Sequence, residues 1–489
     1  MQYIERRYVR RGAVESRRYQ VDLAAQAVAE NCIVVLPTGL GKTAVALLVA
    51  AEYLSRGTGV LFLAPTRVLA GQHQEFMEGG LTIDDITLVT GEDPPKKRKQ
   101  AWASSLVCAT PEIARNDLER GLVPADQFGA VIFDEVHRTV GDYAYSVIAD
   151  RFWDAGARMV GMTATLPSEK AKASEIISRL RASRVAEMRE DDPEVKEFTH
   201  QTSVEYVSVS LPPELISVQA HLRAALDRRY SELRANPRLK IGQQSVSALL
   251  RIRPFVITKA RGSARALFEA IRLHHALAML EAHGTTPFLR FCERTREKRG
   301  AAPLFRDVDV DTAIRLAREA SRSGIEHPKL KKLVEIMGST TERTLIFASY
   351  RDTVGVIRSA LEEAGMSAVA LVGKAGETGL GQRGQARAVQ GFRDGQYRAM
   401  IATRVGEEGL DISEVGQVIF YDNVPSSIRF VQRRGRTGRR SDGRLVVLVA
   451  KGTIDETYRW IGERKVKAAR TMGEKMSGMI EKGGLDGYM

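Results

Sequence analysis

The sequence predicts an α/β protein: two parallel-sheet domains with a mainly helical insertion domain between them. Three observations carry this. Short apolar runs alternate with helical patterns over the first 200 residues, a second such series begins after HPKL (327–330), and the stretch between has little β-pattern. Buried β-runs joined by helices imply doubly wound parallel sheets, with functional groups gathered at the carboxyl ends of the strands.

Strands of the first series are expected at NCIVVLP (31–37), GVLFLAP (59–65), DITLVTG (85–91), SLVCAT (105–110), AVIFDE (130–135) and RMVGMTAT (158–165). Each is followed by polar or helix-like sequence, such as TAVALLVAAEYLSRG after the first. The second series is RTLIFASY (343–350), SAVALVG (367–373), RAMIATR (398–404), GQVIFYD (416–422) and RLVVLVA (444–450). Between them SVEYVSVSLP (203–212) reads as a strand, and Glu214 to about Ser323 reads mostly as helices, with a break at Asn236-Pro237. The expected domains are therefore 1–202, a basic helical insertion over 203–325, and 326–489 closing on a helix.

The formal net charge of +13, with a pI near 9.6, points to a polyanionic partner. The surplus is concentrated: Leu211 to Gly300 holds 17 Lys and Arg against 7 Asp and Glu. Aromatic residues are only 6%, which argues against a stacking platform for single strands. No apolar run approaches the roughly 20 residues that span a bilayer. The N-terminal MQYIERRYVRRG lacks the apolar stretch and cleavage site of a signal peptide. Cys32, Cys108 and Cys292 lie far apart, so buried reduced thiols in a cytoplasmic protein are expected rather than disulfides or a metal site.

The chemistry begins at LPTGLGKT. In this loop Pro37, Thr38, Gly39, Leu40 and Gly41 lie between an apolar strand and a helix opening near Thr43. The two glycines permit the curvature that turns successive N–H groups toward phosphate oxygens, and the helix adds its positive dipole end. Lys42 would meet the β- and γ-phosphates of ATP, and Thr43 would ligate Mg²⁺. Leu36 stands where the full GxxxxGK[ST] pattern has its first glycine. In VIFDEVHR, the run Val131-Ile132-Phe133 delivers Asp134 and Glu135 to a strand end. Asp134 would hold Mg²⁺, and Glu135 would act as general base or orient the attacking water.

With TAT (Thr163–Thr165) and QRRGRTGR (432–439), these motifs resemble the superfamily 2 DExH helicases. DEVHRTVGDYAY, VGEEGLDI and VIFYDNVPSSIR resemble more closely the archaeal Hef helicases and their Fanconi anaemia M-type relatives. The resemblance covers essentially the whole chain, and it implies that both sheet domains are RecA-like. It further implies that Arg17 and Gln20 recognise adenine, that Gly409 and Asp411 face the nucleotide, and that Thr163 and Thr165 link hydrolysis to domain movement. Gln432 would touch the nucleotide or His137, while Arg436 and Arg439 would reach the γ-phosphate as arginine fingers.

Nucleic-acid contacts are assigned by the same resemblance to Arg67, Thr90 and Gly91, Thr110 with Pro111, Ser349 to Arg351, and Thr403 with Arg404. Hydroxyls and amides at strand ends suit a sequence-blind hold on a phosphate backbone. The basic insertion, with Arg251, Arg253, Lys259, Arg261 and Arg265, reads as an electrostatic clamp on duplex. Gly462-Glu463-Arg464-Lys465 resembles the core of the nuclease that accompanies Hef helicases in longer chains. Ala469 stands where that pattern wants an aspartate, so the segment reads instead as an amphipathic closing helix.

The function expected is an ATP- and Mg²⁺-dependent DNA helicase or translocase on forked or branched DNA, moving 3′ to 5′ as the resemblance implies. A nuclease or sliding-clamp partner and association with the nucleoid would be typical of such a repair motor. Two alternatives stand beside it: a double-stranded-RNA-directed ATPase, because phosphate contacts read little of the sugar, and a structure-specific DNA-binding scaffold released by ATP.

Overall fold

A computed structural model describes residues 2–141, 144–198, 202–373, 381–403, 415–423, 426–434 and 443–481. Its first sheet holds seven parallel strands: β1 (Cys32–Val35), β2 (Gly59–Leu63), β3 (Ile86–Val89), β4 (Leu106–Ala109), β5 (Phe128–Phe133), β6 (Arg158–Thr163) and β7 (Arg184–Glu187), in the order β3-β4-β2-β5-β6-β1-β7. Successive side chains point to opposite faces of a strand. Accordingly Cys32 and Val34 enter one apolar layer, beneath the helices Arg18–Ala29 and Lys42–Ser55, while Ile33 and Val35 enter the other. Burial on both faces is why the central strands read as unbroken apolar runs. The edge strand β7, with Arg184 exposed and Glu187 at its end, carries no such run and was not expected from the sequence.

The second sheet is also parallel. Its strands are β8 (Thr202–Val209), β9 (Thr344–Phe347), β10 (Ala368–Leu371), β11 (Ala399–Ala402), β12 (Gln417–Phe420) and β13 (Gly443–Ala450), in the order β10-β11-β9-β12-β13-β8. Here the boundary expected at 203 needs correction. The strand that opens the expected helical domain pairs with β13 from Thr202↔Gly443 to Val209↔Ala450 and forms an edge of the second sheet. Its polar, half-exposed pattern is that of a strand with one free edge.

Between β8 and β9 run the helices Pro213–Arg234, Val246–Lys259, Ala264–His283, Thr285–Arg296 and Val308–Arg322. They enclose their own core, which includes Leu222, Leu226, Leu267, Leu280, Phe288 and Ile314. Buried Arg229 is satisfied within it by Glu269 and by Asp307 at 3.0 Å. The helix Ile454–Arg470 packs on β13, whereas the last helix, Met472–Glu481, returns to the first domain. It lies against β7 and puts Met472 and Met476 into the first domain's core, and Lys465 reaches Glu169 at 3.2 Å. The chain thus passes between the two sheet domains twice.

Candidate active site

The carboxyl ends of adjacent strands in the first sheet carry, in spatial order, Thr90 and Gly91 after β3, Thr110 after β4, Arg67 beyond β2, Asp134 after β5, Thr163 ending β6, and the loop from Leu36 after β1. One sheet edge therefore brings together candidates drawn from about 130 residues of sequence.

The loop bends where the glycines allow it. Gly39 has φ +90° and Gly41 has φ +84°, left-handed values that side chains disfavour. A Cβ at Gly41 would overlap Gln20 Nε2. The helix Lys42–Ser55 opens without a side-chain cap on its first amides, and uncapped amides at a helix start suit an anion. Lys42 Nζ donates to the Leu36 carbonyl at 3.1 Å, and the Leu36 amide donates to Thr163 O at 3.0 Å. Gln20 Nε2 and the Tyr19 hydroxyl both donate to the Leu40 carbonyl at 2.9 Å, fixing helix Arg18–Ala29 to the loop. Arg17 precedes that helix, donating to Glu15 at 2.9 Å with its guanidinium 4.5 Å from the Phe198 ring.

At the end of β5 the Asp134 amide donates to Leu63 O at 2.9 Å, and the Tyr145 hydroxyl donates to Asp134 O at 2.8 Å. Its side chain is buried, with Oδ2 3.0 Å from His73 Nε2. Burial pushes the Asp134 carboxyl up, but the His73 contact and the Lys42 charge outweigh it and hold the group below the ordinary aspartate value. Glu135 adopts φ +50°, a strained value for a residue with a side chain, and its Oε2 lies 3.2 Å from His137 Nδ1. His137 Nδ1 is 3.4 Å from Thr163 Oγ1, and Thr163 donates to Thr165 O at 2.9 Å. The acidic run and the TAT segment thus form one bonded set.

The outer strand ends are equally ordered. Thr66 caps the helix Arg67–Gly80, accepting from the Leu69 amide, and Arg67 pairs with Glu92. Thr90 donates to Asp93 Oδ2 at 3.3 Å, and Thr110 is the N-cap residue of helix Pro111–Glu119. In the second domain the Ser349 amide donates to Asp422, Arg351 donates to Gly373 O at 2.8 Å, and Thr403 is buried at the end of β11. Arg251 and Arg253 project from the helix Val246–Lys259 and are exposed. Arg404, Gly409, Asp411, Arg436 and Arg439 lie outside the described residues; Gln432 falls in helix Ser427–Arg434, but its side chain is also outside them.

His73, Tyr145 and Phe198 were not singled out in the sequence. His73 and Phe198 meet the site only through the fold, His73 and Asp134 being 61 residues apart, with no local pattern to mark them; Tyr145 closes the DEVHRTVGDYAY run, 11 residues from Asp134. The three cysteines are free and buried, and burial pushes the Cys32 and Cys292 thiols up to about 12.

Two parallel-sheet domains, a phosphate-type loop opening onto a helix and an acidic pair two strands away in the same sheet define the core of a superfamily 2 DExH helicase, an ATP-hydrolysing enzyme. Residues 17–173 match the DEAD/DEAH box helicase family, and 328–441 match the helicase conserved C-terminal domain. The crystal structure of the Pyrococcus furiosus Hef helicase domain is similar, at 33% identity and a TM-score of 0.69, over 93% of this chain and 99% of that one. The chain belongs to the Hef helicase family. It is also 35% identical to a Methanocaldococcus jannaschii protein named as an ATP-dependent RNA helicase, over 93% of this chain and 60% of that protein. It is 31% identical to the Gallus gallus Fanconi anemia group M protein, over 90% of this chain and 25% of that one. The chain thus spans 60% or less of the length of these two relatives.

Proposed function

We propose that the protein is an ATP-dependent DNA helicase or translocase that acts on forked or branched DNA. The observation that supports this reading is the continuous row of strand ends from Thr90 to the Leu36 loop, along which the residues proposed to hold a nucleic-acid backbone adjoin those proposed to hydrolyse ATP. It occurs in a chain that follows the Hef helicase domain over nearly its full length. The Pro37–Thr43 loop would cradle the phosphates of ATP, with Arg17 and Gln20 on the base. Lys42, which now donates to Leu36 O, would turn to the phosphates. The Thr43 hydroxyl and the buried, low-pKa Asp134 carboxylate are hard oxygen donors that fit Mg²⁺. When bound, that ion neutralises charge on the β- and γ-phosphate oxygens.

Glu135, with its backbone at φ +50° and its Oε2 3.2 Å from His137 Nδ1, would accept the proton of the attacking water or orient that water. Gln432, Arg436 and Arg439 would complete the site from the second domain, with Gly409 and Asp411 on the nucleotide. Thr163, bonded to His137 and Thr165, would carry the change at the phosphates to the domain contact. Arg67, Thr90, Gly91, Thr110, Ser349, Arg351, Thr403 and Arg404 would hold one strand by its backbone, and Arg251 and Arg253 would hold the duplex. A setting in DNA repair on the nucleoid belongs to the same proposal.

The Methanocaldococcus relative's name supports a second reading, an RNA-directed motor. Strand displacement on forked DNA and on double-stranded RNA, run with Lys42→Ala as control, tests both. Displacement of DNA by the unmodified chain, absent in Lys42→Ala while DNA binding persists, supports the proposal. Normal ATP hydrolysis by Lys42→Ala would overturn the site.

A further inference from the structure

One buried carboxylate in the second domain touches three elements that the proposed cycle must move together. Asp422 follows β12 and is buried. The Ser349 amide donates to both its oxygens at 3.1 Å. Arg433 Nη1 donates to the Asp422 carbonyl at 3.3 Å and lies 3.7 Å from Oδ1. Arg433 is itself fully buried, its guanidinium 5.0 Å from the Phe347 ring and 5.5 Å from that of Phe420. A cation held between two rings and a carboxylate anchors its helix, Ser427–Arg434, against β9 and β12.

The third element comes from the insertion. His283 ends the helix Ala264–His283, with Nε2 3.9 Å from Asp422 Oδ2, Nδ1 3.0 Å from Thr353 Oγ1, and its ring edge-on to Tyr350. Burial pushes the His283 imidazole down to about 4, so it is neutral near pH 7. Burial also pushes the Asp422 carboxyl up, but Arg433, foremost among the opposing groups, keeps it below the ordinary aspartate value. Asp422 is therefore the anion on which these neutral and cationic groups converge.

We infer that Asp422 is a positioning residue that couples nucleic-acid engagement to hydrolysis. It ties Ser349, in the strip proposed to hold the nucleic-acid backbone, to the helix that contains Gln432 and leads two residues on to Arg436. The inference rests on the roles proposed above for Ser349 and the arginines. Displacing a transition-state group by about 1 Å can cost on the order of a hundredfold in rate, so a small rotation of this helix suffices as a control. Asp422→Asn keeps the shape but removes the charge, and in either orientation its amide sets an N–H against the Ser349 amide, in one of them against the Arg433 guanidinium as well.

The test compares ATP hydrolysis by the full chain and Asp422→Asn, with and without forked DNA, together with melting curves. The expected result is a roughly tenfold fall in DNA-stimulated kcat, with the KM for ATP and the half-saturating DNA concentration within about twofold of the unmodified chain. Arg433→Lys keeps the charge without the planar fork and should lose stimulation in the same way, which preserves the test if Asp422→Asn does not fold. Full stimulation in either folded variant overturns the coupling alone. A parallel fall with and without DNA, accompanied by a raised KM for ATP, also overturns it, because that is general damage to the domain. No stimulation by DNA in the unmodified chain overturns the coupling together with the function on which it rests.

Discussion

Replacing Gly41 by Ala tests the nucleotide loop at its tightest point. Gly41 has φ +84°, and for a residue with a Cβ that region costs about 1–2 kcal/mol. The added methyl would also overlap Gln20 Nε2, so Gln20 must swing away and give up its 2.9 Å hydrogen bond to Leu40 O. A bond of this kind contributes about 1 kcal/mol net. Together the losses come to roughly 2–3 kcal/mol, too little to unfold a domain of ordinary stability, and they fall on the loop and on the residue expected to read adenine. The free loop of the variant relaxes away from this geometry and ATP binding must restore it, so at about 1.4 kcal/mol per factor of ten ATP affinity should fall roughly 30- to 140-fold. Gly57→Ala is the control, since Gly57 has φ +78° and open space around the Cβ position; it carries the backbone cost without the overlap and lies at the far end of the same helix. Titration with a fluorescent ATP analogue, alongside melting curves, measures both effects. Equal ATP affinity in Gly41→Ala and Gly57→Ala would refute the reasoning.

Three further outcomes follow from other parts of the molecule. Asp117 is fully buried and accepts from Arg98 Nε and Nη2 at 2.8 Å and from Trp102 Nε1 at 2.9 Å; Asp117→Asn strands a buried guanidinium and should cost about 3–5 kcal/mol in urea unfolding. Because Arg98 also donates to Asp93 O in the loop after Thr90, DNA affinity should fall in the same variant, and an unchanged denaturation midpoint would contradict the role. Glu187 lies beneath the last helix, where burial, opposed by Arg189 and reinforced by Glu474, pushes its carboxyl up to about 7. The folded chain then keeps a proton that the unfolded chain releases near 4.5, so the stability this proton contributes is full below that value and is lost as pH rises through about 7. Glu187→Gln should raise Tm at about pH 8 and have little effect near pH 4, and a pH-independent difference would contradict this. Finally, Arg251, Arg253 and Arg261 changed together to Glu should weaken fork binding and flatten its salt dependence by about one unit for each phosphate no longer neutralised; an unchanged salt slope would sink the duplex clamp.

What the sequence disclosed follows from the range of the forces involved. Central strands buried on both faces were legible because every residue in Cys32–Val35 or Leu345–Phe347 had to be apolar. The phosphate loop and the DEVH run were legible because each packs its chemistry into a few consecutive residues. β7 and β8 were harder to place, being polar edge strands whose partners lie about 150 and 240 residues away. The segment around Gly462–Ala469 reads as an amphipathic closing helix, but nothing in that pattern says that a further helix, Met472–Glu481, follows it and puts Met472 and Met476 into the core of the first domain. The same limit hid His73 beside Asp134, and Asp422 between Ser349 and Arg433. These are pairings of ordinary residue types, made only when the two sheets and the insertion are assembled.

The central claim is that hydrolysis at the Lys42–Asp134 site is driven by branched DNA. The most direct measurement is the steady-state ATPase rate of the full chain without nucleic acid, and with forked DNA, linear duplex DNA and double-stranded RNA in parallel. The account predicts selective stimulation by forked DNA, abolished in Lys42→Ala. Equal or stronger stimulation by double-stranded RNA would contradict it and favour an RNA-directed motor.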